Sequence, residues 1–159
     1  MIMYNLYDSE KYPKRKRNRL QGHDYAASNY YFLTICTHEK KCIFGKPNDL
    51  NALGKIVRQG ILKIPEHHPN VKVDQFAVMP NHVHLLLYLD PGGKKLKDVV
   101  GGWKAYVTRE ARKTDPSVII WQRSYHDHII RNENSYQKIW QYIVCNPMNW
   151  EKDCFYSEL

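Results

Sequence analysis

The chain has 159 residues, with 24 Lys and Arg against 16 Asp and Glu, giving a formal net charge of +8. Its 43% hydrophobic and 13% aromatic content is enough for a buried core and excludes a disordered polyelectrolyte. The longest apolar run, Leu85-Leu86-Leu87-Tyr88-Leu89, falls far short of the ~18 residues of a membrane span, and Met1 to Tyr12 lack a secretory h-region.

A cytoplasmic protein with no membrane partner is therefore expected. Cys36, Cys42, Cys145 and Cys154 form no CxxC pair, which argues against a disulfide framework or zinc ribbon. The basic excess points to an anionic partner, with nucleic acid the first candidate.

Residues 1–26 are polar, charged and without periodicity, and read as a basic arm holding Lys14, Arg15, Lys16, Arg17 and Arg19. Tyr30 to Thr37 is aromatic and β-branched and predicts a strand. Leu53, Ile56, Val57, Ile61 and Ile64 make a helical stripe over 51–64, closed by Pro65. His67 and His68 precede Pro69 in what reads as an exposed loop. Lys72 to Met79 predicts a second strand, and Pro80-Asn81 turns it into a third, His82 to Leu89.

After Pro91-Gly92-Gly93, residues 95–113 read as a basic amphipathic helix weakened by Gly101-Gly102. A fourth strand region spans 118–131, with a break near Arg123-Ser124. A last helix runs from Asn134 or Ser135 to Asn146, ahead of Pro147. The order β-α-β-β-α-β-α, with one further strand before the last helix where the fourth region is split, predicts an α+β fold: a ferredoxin-like antiparallel sheet with two crossover helices plus a C-terminal helix. We expect a single domain over 27–150 and a short tail over 151–159.

On the third strand, Val83, Leu85, Leu87 and Leu89 share one face, while His82, His84, Leu86 and Tyr88 share the other. Two histidines at i and i+2 lie ~7 Å apart at Cα, close enough to hold one metal ion. The competing reading is a pair of hydrogen-bonded strand histidines. A zinc hydrolase built on them finds no general-base carboxylate near the His-Val-His segment.

On the last helix Tyr136, Ile139, Trp140, Ile143 and Val144 cluster as the face expected to be buried. Tyr142 lies ~130° from the centre of that stripe and Asn146 ~90° from it on the same side, as i,i+4 neighbours. Tyr136 fits packing; Tyr142 fits it less well. A phenol of pKa near 10 is only ~0.1% ionised at pH 7, so it needs a cation on the phosphate it attacks.

These residues bring a family into view. RLQGHDYAASNYYFLTICTHEKKCIFG at 19–45, VMPNHVHLLL at 78–87, WKAYVTRE at 103–110, WQRSYHDHIIRNE at 121–133 and YIVCNP at 142–147 resemble single-tyrosine HUH transposases. The branch is that of REP-associated tyrosine transposases and small insertion-sequence transposases. The resemblance runs over about residues 13–150.

It implies that His82 and His84 are metal ligands, Asn146 a third ligand, and Tyr142 the nucleophile. The ion is Mg2+ or Mn2+, with imidazole ligands favouring manganese. The implied chemistry is cleavage and strand transfer of single-stranded DNA at hairpin or palindromic elements, through a 5′-phosphotyrosine. Lys104, Arg109, His128, Arg131 and the basic arm would contact DNA; Trp121 suits stacking on a base or burial. His126 completes a second His-x-His without an implied role. The family admits both monomers and homodimers in which the tyrosine serves the partner's site. A domesticated hairpin-binding module without cleavage is the alternative.

Overall fold

The computed structural model describes residues 29–159; the predicted basic arm, with Lys14, Arg15, Lys16, Arg17 and Arg19, lies outside them. In chain order the elements are β1 (Asn29–Cys36), a one-turn helix (His38–Lys40), the short pair β2 (Gly45–Lys46) and β3 (Asp49–Leu50), and α1 (Ala52–Leu62). Then come α2 (Ile64–His67), β4 (Val71–Met79), β5 (His82–Leu89), α3 (Leu96–Ala111), β6 (His126–Ile130) and α4 (Glu133–Cys145). A 3-10 segment, Asn146–Lys152, ends the regular structure.

The main sheet has the order β4-β5-β1-β6, with every neighbouring pair antiparallel. This is the expected ferredoxin-like order, with α1 and α3 as the crossover connections. Asn51 starts α1 by accepting from Gly54 N through its side chain at 3.0 Å, and Asn132 starts α4 the same way through Ser135 N at 2.8 Å. Gly54 is a close approach: a β-carbon there would meet the Phe44 carbonyl oxygen at 2.2 Å.

Strand alternation divides the protein into two apolar clusters. Leu33, Ile35, Val83, Leu85, Leu87 and Leu89 pack with Val57, Ile61, Val99, Trp103 and Val107 of α1 and α3. Phe32, Leu86, Ala77 and Met79 on the opposite face pack with Ile139 and Ile143 of α4 and with Trp150. At roughly 1.5–3 kcal/mol for each large side chain buried, both faces contribute to stability and the sheet is covered on both sides.

Several predicted elements change. Pro65 does not close the helix into a loop: it occupies the first turn of α2, where its missing N–H costs no hydrogen bond. His68 is consequently buried, at 8% exposure, whereas His67 is exposed as expected. The fourth strand region contracts to β6, and Trp121 contributes only an isolated bridge to Thr37. Trp121 packs against Trp103 and Phe44, its ring centroids 4.8 and 5.6 Å from theirs.

Val144 is 37% exposed rather than buried. The buried arc of α4 runs from Tyr142 through Ile139 and Ile143 to Trp140, rotated roughly 50° from the predicted stripe. The shift follows from the aromatic sheet residues Phe32 and Tyr30, which draw Tyr142 and Tyr136 toward the sheet. Among the described residues, no helix is long and apolar enough to cross a membrane.

Candidate metal and tyrosine site

His82 and His84 project from the start of β5 onto the α4 side of the sheet, and both are completely buried. Their Nε2 atoms are 3.1 Å apart. Asn81, in the turn before β5, donates its amide nitrogen to the carbonyls of Phe155 (2.8 Å) and Lys40 (3.2 Å). That fixes Asn81 Oδ1 toward His82 Nδ1 at 2.8 Å, so the imidazole N–H donates to it and Nε2 is left as the free lone pair. His84 Nδ1 pairs with Thr34 Oγ1 at 3.0 Å across β1, which likewise leaves Nε2 facing the site.

Burial, and then the nearby Lys40 charge, hold His82 in its neutral form by lowering its pKa to about 3. Burial and then His82 push His84 well below the ordinary histidine range. At 3.1 Å the two Nε2 atoms can share a proton when His84 carries it on Nε2, or a cation when both present lone pairs.

The third group comes from the C-terminal tail, a region where the sequence carries no local signal. Asp153 Oδ2 is 3.6 Å from His82 Nε2, and its side chain is fully buried. One donor atom from each of His82, His84 and Asp153 lies within 4.8 Å of the others. Adjacent ligands at ~2.1 Å from an ion are separated by ~3.0–3.4 Å, so the observed 3.1 and 3.6 Å suit one divalent cation after small adjustment. The carboxylate that appeared to be missing near His-Val-His is therefore present, brought in by tertiary structure.

Asn146, the predicted third ligand, is buried beside this group. Its amide nitrogen donates to Asp153 Oδ2 at 2.8 Å, while its Oδ1 is buried without a hydrogen-bond partner. An orphaned buried amide oxygen beside two imidazoles and a carboxylate is the donor set a hard-to-borderline cation would satisfy.

Tyr142 lies on the sheet-facing edge of α4. Its hydroxyl is 3.5 Å from His84 Nε2, and its ring stands edge-on to Phe32, with centroids 6.1 Å apart. Tyr136 is held elsewhere. Its hydroxyl donates to Asp74 at 3.1 Å, where an irregularity in the β4–β5 register falls, and burial, then this bond, push its pKa up to about 12.

The site is closed from above. The ring centroid of Phe155 is 5.0 Å from that of His82, and Lys40 Nζ lies 4.7 Å over the Phe155 ring. Asp153 Oδ1 accepts from Phe155 N at 2.7 Å, and Ser157 Oγ is 3.1 Å from Cys42 Sγ.

The remaining predicted residues are dispersed. Register pairs His126 with Thr34 and His128 with Phe32, so both histidines share the face of His84, with His128 exposed. Arg131 follows on the surface. Lys104 and Arg109 belong to the opposite, helical face. Lys104 Nζ donates to the Gln122 carbonyl at 2.9 Å and lies over the Trp121 and Tyr125 rings, whereas Arg109 is exposed beside Tyr106.

Comparison with known proteins follows this geometry. The family described as "Transposase IS200 like" matches residues 25–146. An uncharacterized protein of Haemophilus influenzae is 36% identical over 169 residues, covering 91% of this chain and 94% of that protein. The REP-associated tyrosine transposase of Escherichia coli K12 is 26% identical over 100 residues, covering 62% of this chain and 58% of that protein. A solved structure of a REP-associated tyrosine transposase bound to a REP hairpin superposes with a TM-score of 0.66, at 20% identity. It covers 82% of this chain and 73% of the other, and so shares the fold. This chain belongs to the IS200-like transposase family.

Proposed function

We propose that the protein cleaves and rejoins single-stranded DNA at hairpin-containing sites through a covalent 5′-phosphotyrosine. The observation that carries this reading is the Tyr142 hydroxyl set 3.5 Å from His84 Nε2, beside the His82, His84 and Asp153 donors. The solved relative bound to a REP hairpin supports DNA hairpins as the substrate class.

His82 and His84 would hold Mg2+ or Mn2+ through Nε2, with Asp153 and the Asn146 amide oxygen as oxygen donors. Such an ion supplies charge stabilisation at a phosphate oxygen. Asn81 and Thr34 orient the two imidazoles. The Tyr142 oxygen attacks phosphorus, the P–O3′ bond breaks, and the leaving 3′ oxygen takes up a proton as the phenol loses one. The phosphoryl bond is retained on tyrosine, so rejoining to a new 3′-OH needs no further energy source. Tyr142 faces His84 of its own chain, which favours action in cis by a monomer over exchange between the subunits of a homodimer.

Full-length protein incubated with hairpin-bearing single-stranded DNA and manganese is expected to give a denaturation-resistant adduct that maps to Tyr142. An adduct of equal yield in Tyr142→Phe would sink the assignment. The domesticated hairpin-binding module is favoured by one observation, the complete burial of both histidines. It predicts hairpin binding with no adduct, undiminished in His82→Ala and His84→Ala. Stoichiometric, tightly held zinc without DNA binding would instead favour a hydrolase with Asp153 as its base.

A further inference from the structure

The turn that follows β1 is strained. Glu39 and Lys40 have φ angles of 54° and 53°, two consecutive non-glycine residues in the left-handed region. A β-carbon crowds the backbone there, so each residue costs free energy and needs support from its surroundings. Lys40 N donates to the Thr37 carbonyl at 3.1 Å, Lys41 N to the His38 carbonyl at 3.2 Å and Thr37 N to the Asn81 carbonyl at 2.9 Å. The Asn81 amide nitrogen then holds the Lys40 carbonyl at 3.2 Å. The other end of that amide orients His82, so one side chain fixes the strained turn and a candidate metal ligand together.

The strain sets a cation at the mouth of the site. Lys40 is exposed, and its Nζ lies 4.7 Å over the Phe155 ring, whose centroid is 5.0 Å from that of His82. After burial, the Lys40 charge is the next cause that keeps His82 and His126 neutral, so its field reaches inward. The adjoining carboxylate does not neutralise it, because Glu39 is paired with Lys41 at 2.6 Å. Among the described residues no carboxylate lies within ion-pair distance of Lys40.

An ammonium without a counter-ion, held on strained backbone beside the histidines, suits a phosphate anion. The Phe155 ring, with the negative face of its π-system, stands where that anion would sit. A phosphate in the place of the ring would meet the ammonium on one side and the histidine site on the other.

We infer that Lys40 is a catalytic residue that holds a non-bridging oxygen of the scissile phosphate once the Phe155 ring withdraws. Its ammonium stabilises the negative charge on that oxygen as the Tyr142 oxygen adds to phosphorus. The inference rests on the cleavage reading above and adds no bond to those already made and broken there.

The test uses the full chain with hairpin-bearing single-stranded DNA and manganese, and compares a phosphodiester with an uncharged methylphosphonate at the mapped cleavage linkage. Lys40→Gln is expected to slow adduct formation roughly a hundredfold on the phosphodiester, the scale of losing one charge-stabilising donor, and Lys40→Arg to recover most of it. On the methylphosphonate, wild type and Lys40→Gln should react within about threefold of each other, because the charge that Lys40 meets is gone. Moving the methylphosphonate one linkage away should restore the gap. Lys40→Gly controls for folding: it removes the charge but accepts positive φ, so it should match the adduct rate of Lys40→Gln with no fall in thermal midpoint.

A readout without chemistry is the salt dependence of DNA binding in EDTA, where Lys40→Gln should lower the slope of log affinity against log salt by about 0.7. No gap on the phosphodiester overturns the inference and leaves the cleavage reading standing. A gap that persists on the methylphosphonate, or closes only when the neighbouring linkage is neutral, does the same. If wild type forms no adduct, the cleavage reading fails and the salt slope decides: a fall of about 0.7 supports the phosphate contact, and an unchanged slope overturns it.

Discussion

The carboxylate of Asp153 and the amide nitrogen of Asn146 are joined at 2.8 Å, and the same Asp153 oxygen lies 3.6 Å from His82 Nε2. The residue four positions after Tyr142 is thus coupled to the histidine pair through a side chain from the tail. This gives Asp153 and Asn146 separable roles. Asp153→Asn is expected to weaken Mn2+ binding at least 10- to 100-fold by removing the anionic donor. Asn146→Ala should weaken it less while loosening Asp153. Titration calorimetry on the DNA-free protein checks both; equal affinities in wild type and Asp153→Asn would remove the carboxylate from the ligand set.

The two tyrosines of α4 should separate chemistry from stability. Tyr142→Phe is expected to lower adduct formation by at least about a thousandfold, while the ring that stands edge-on to Phe32 is kept and with it most of the packing stability. Tyr136→Phe should keep the adduct but lose about 1 kcal/mol of stability with the Asp74 hydrogen bond. Denaturant melts and gel-resolved adduct assays of the two variants would show the opposite pattern if the roles were reversed.

Stability should fall as the solution is acidified. Burial lowers the pKa of His82, His84, His68 and His126, so the unfolded chain takes up protons below pH ~6.5 that the folded chain refuses. Their contribution is fully present above that pH and is lost progressively below it. For His82, neutral down to about pH 3, the loss at pH 5 is about 2 kcal/mol. Metal-free thermal melts from pH 7.5 to 5 measure it; a flat profile would contradict buried neutral imidazoles.

Removal of the tail should open the site. Phe155 and Asp153 cover His82, whose exposure is 0%. A chain ending at Lys152 is therefore expected to show two additional histidines reacting rapidly with diethyl pyrocarbonate. Phe155→Ala should give a smaller increase. Unchanged reactivity in both would mean that other side chains close the site.

The comparison of sequence with structure turns on distance along the chain. Alternation along β5 and the two crossover helices were legible because side-chain direction has period 2 in a strand and 3.6 in a helix, so local order dictates which face is apolar. The pairing of His82 with His84 and their separation from Val83 and Leu85 followed from that rule alone. Tyr142 was legible only as a misfit on its helix, and the structure explains it by turning the buried arc of α4 toward Phe32.

Asp153 was not legible. It lies 69 residues beyond His84 in a segment without periodicity, and only the return of the chain through the 3-10 turn at Asn146–Lys152 carries it to the site. His68 escaped for a related reason, since Pro65 reads as a helix end in isolation but serves as a helix start when α2 packs under β4. The sequence by itself determined the sheet, its two faces and the histidine pair, and its resemblance to the family singled out Tyr142 for the proposed chemistry. Only the tertiary structure decided which carboxylate joins the histidines and how tightly they are enclosed, because desolvation and ligand geometry depend on contacts between segments that share no local pattern.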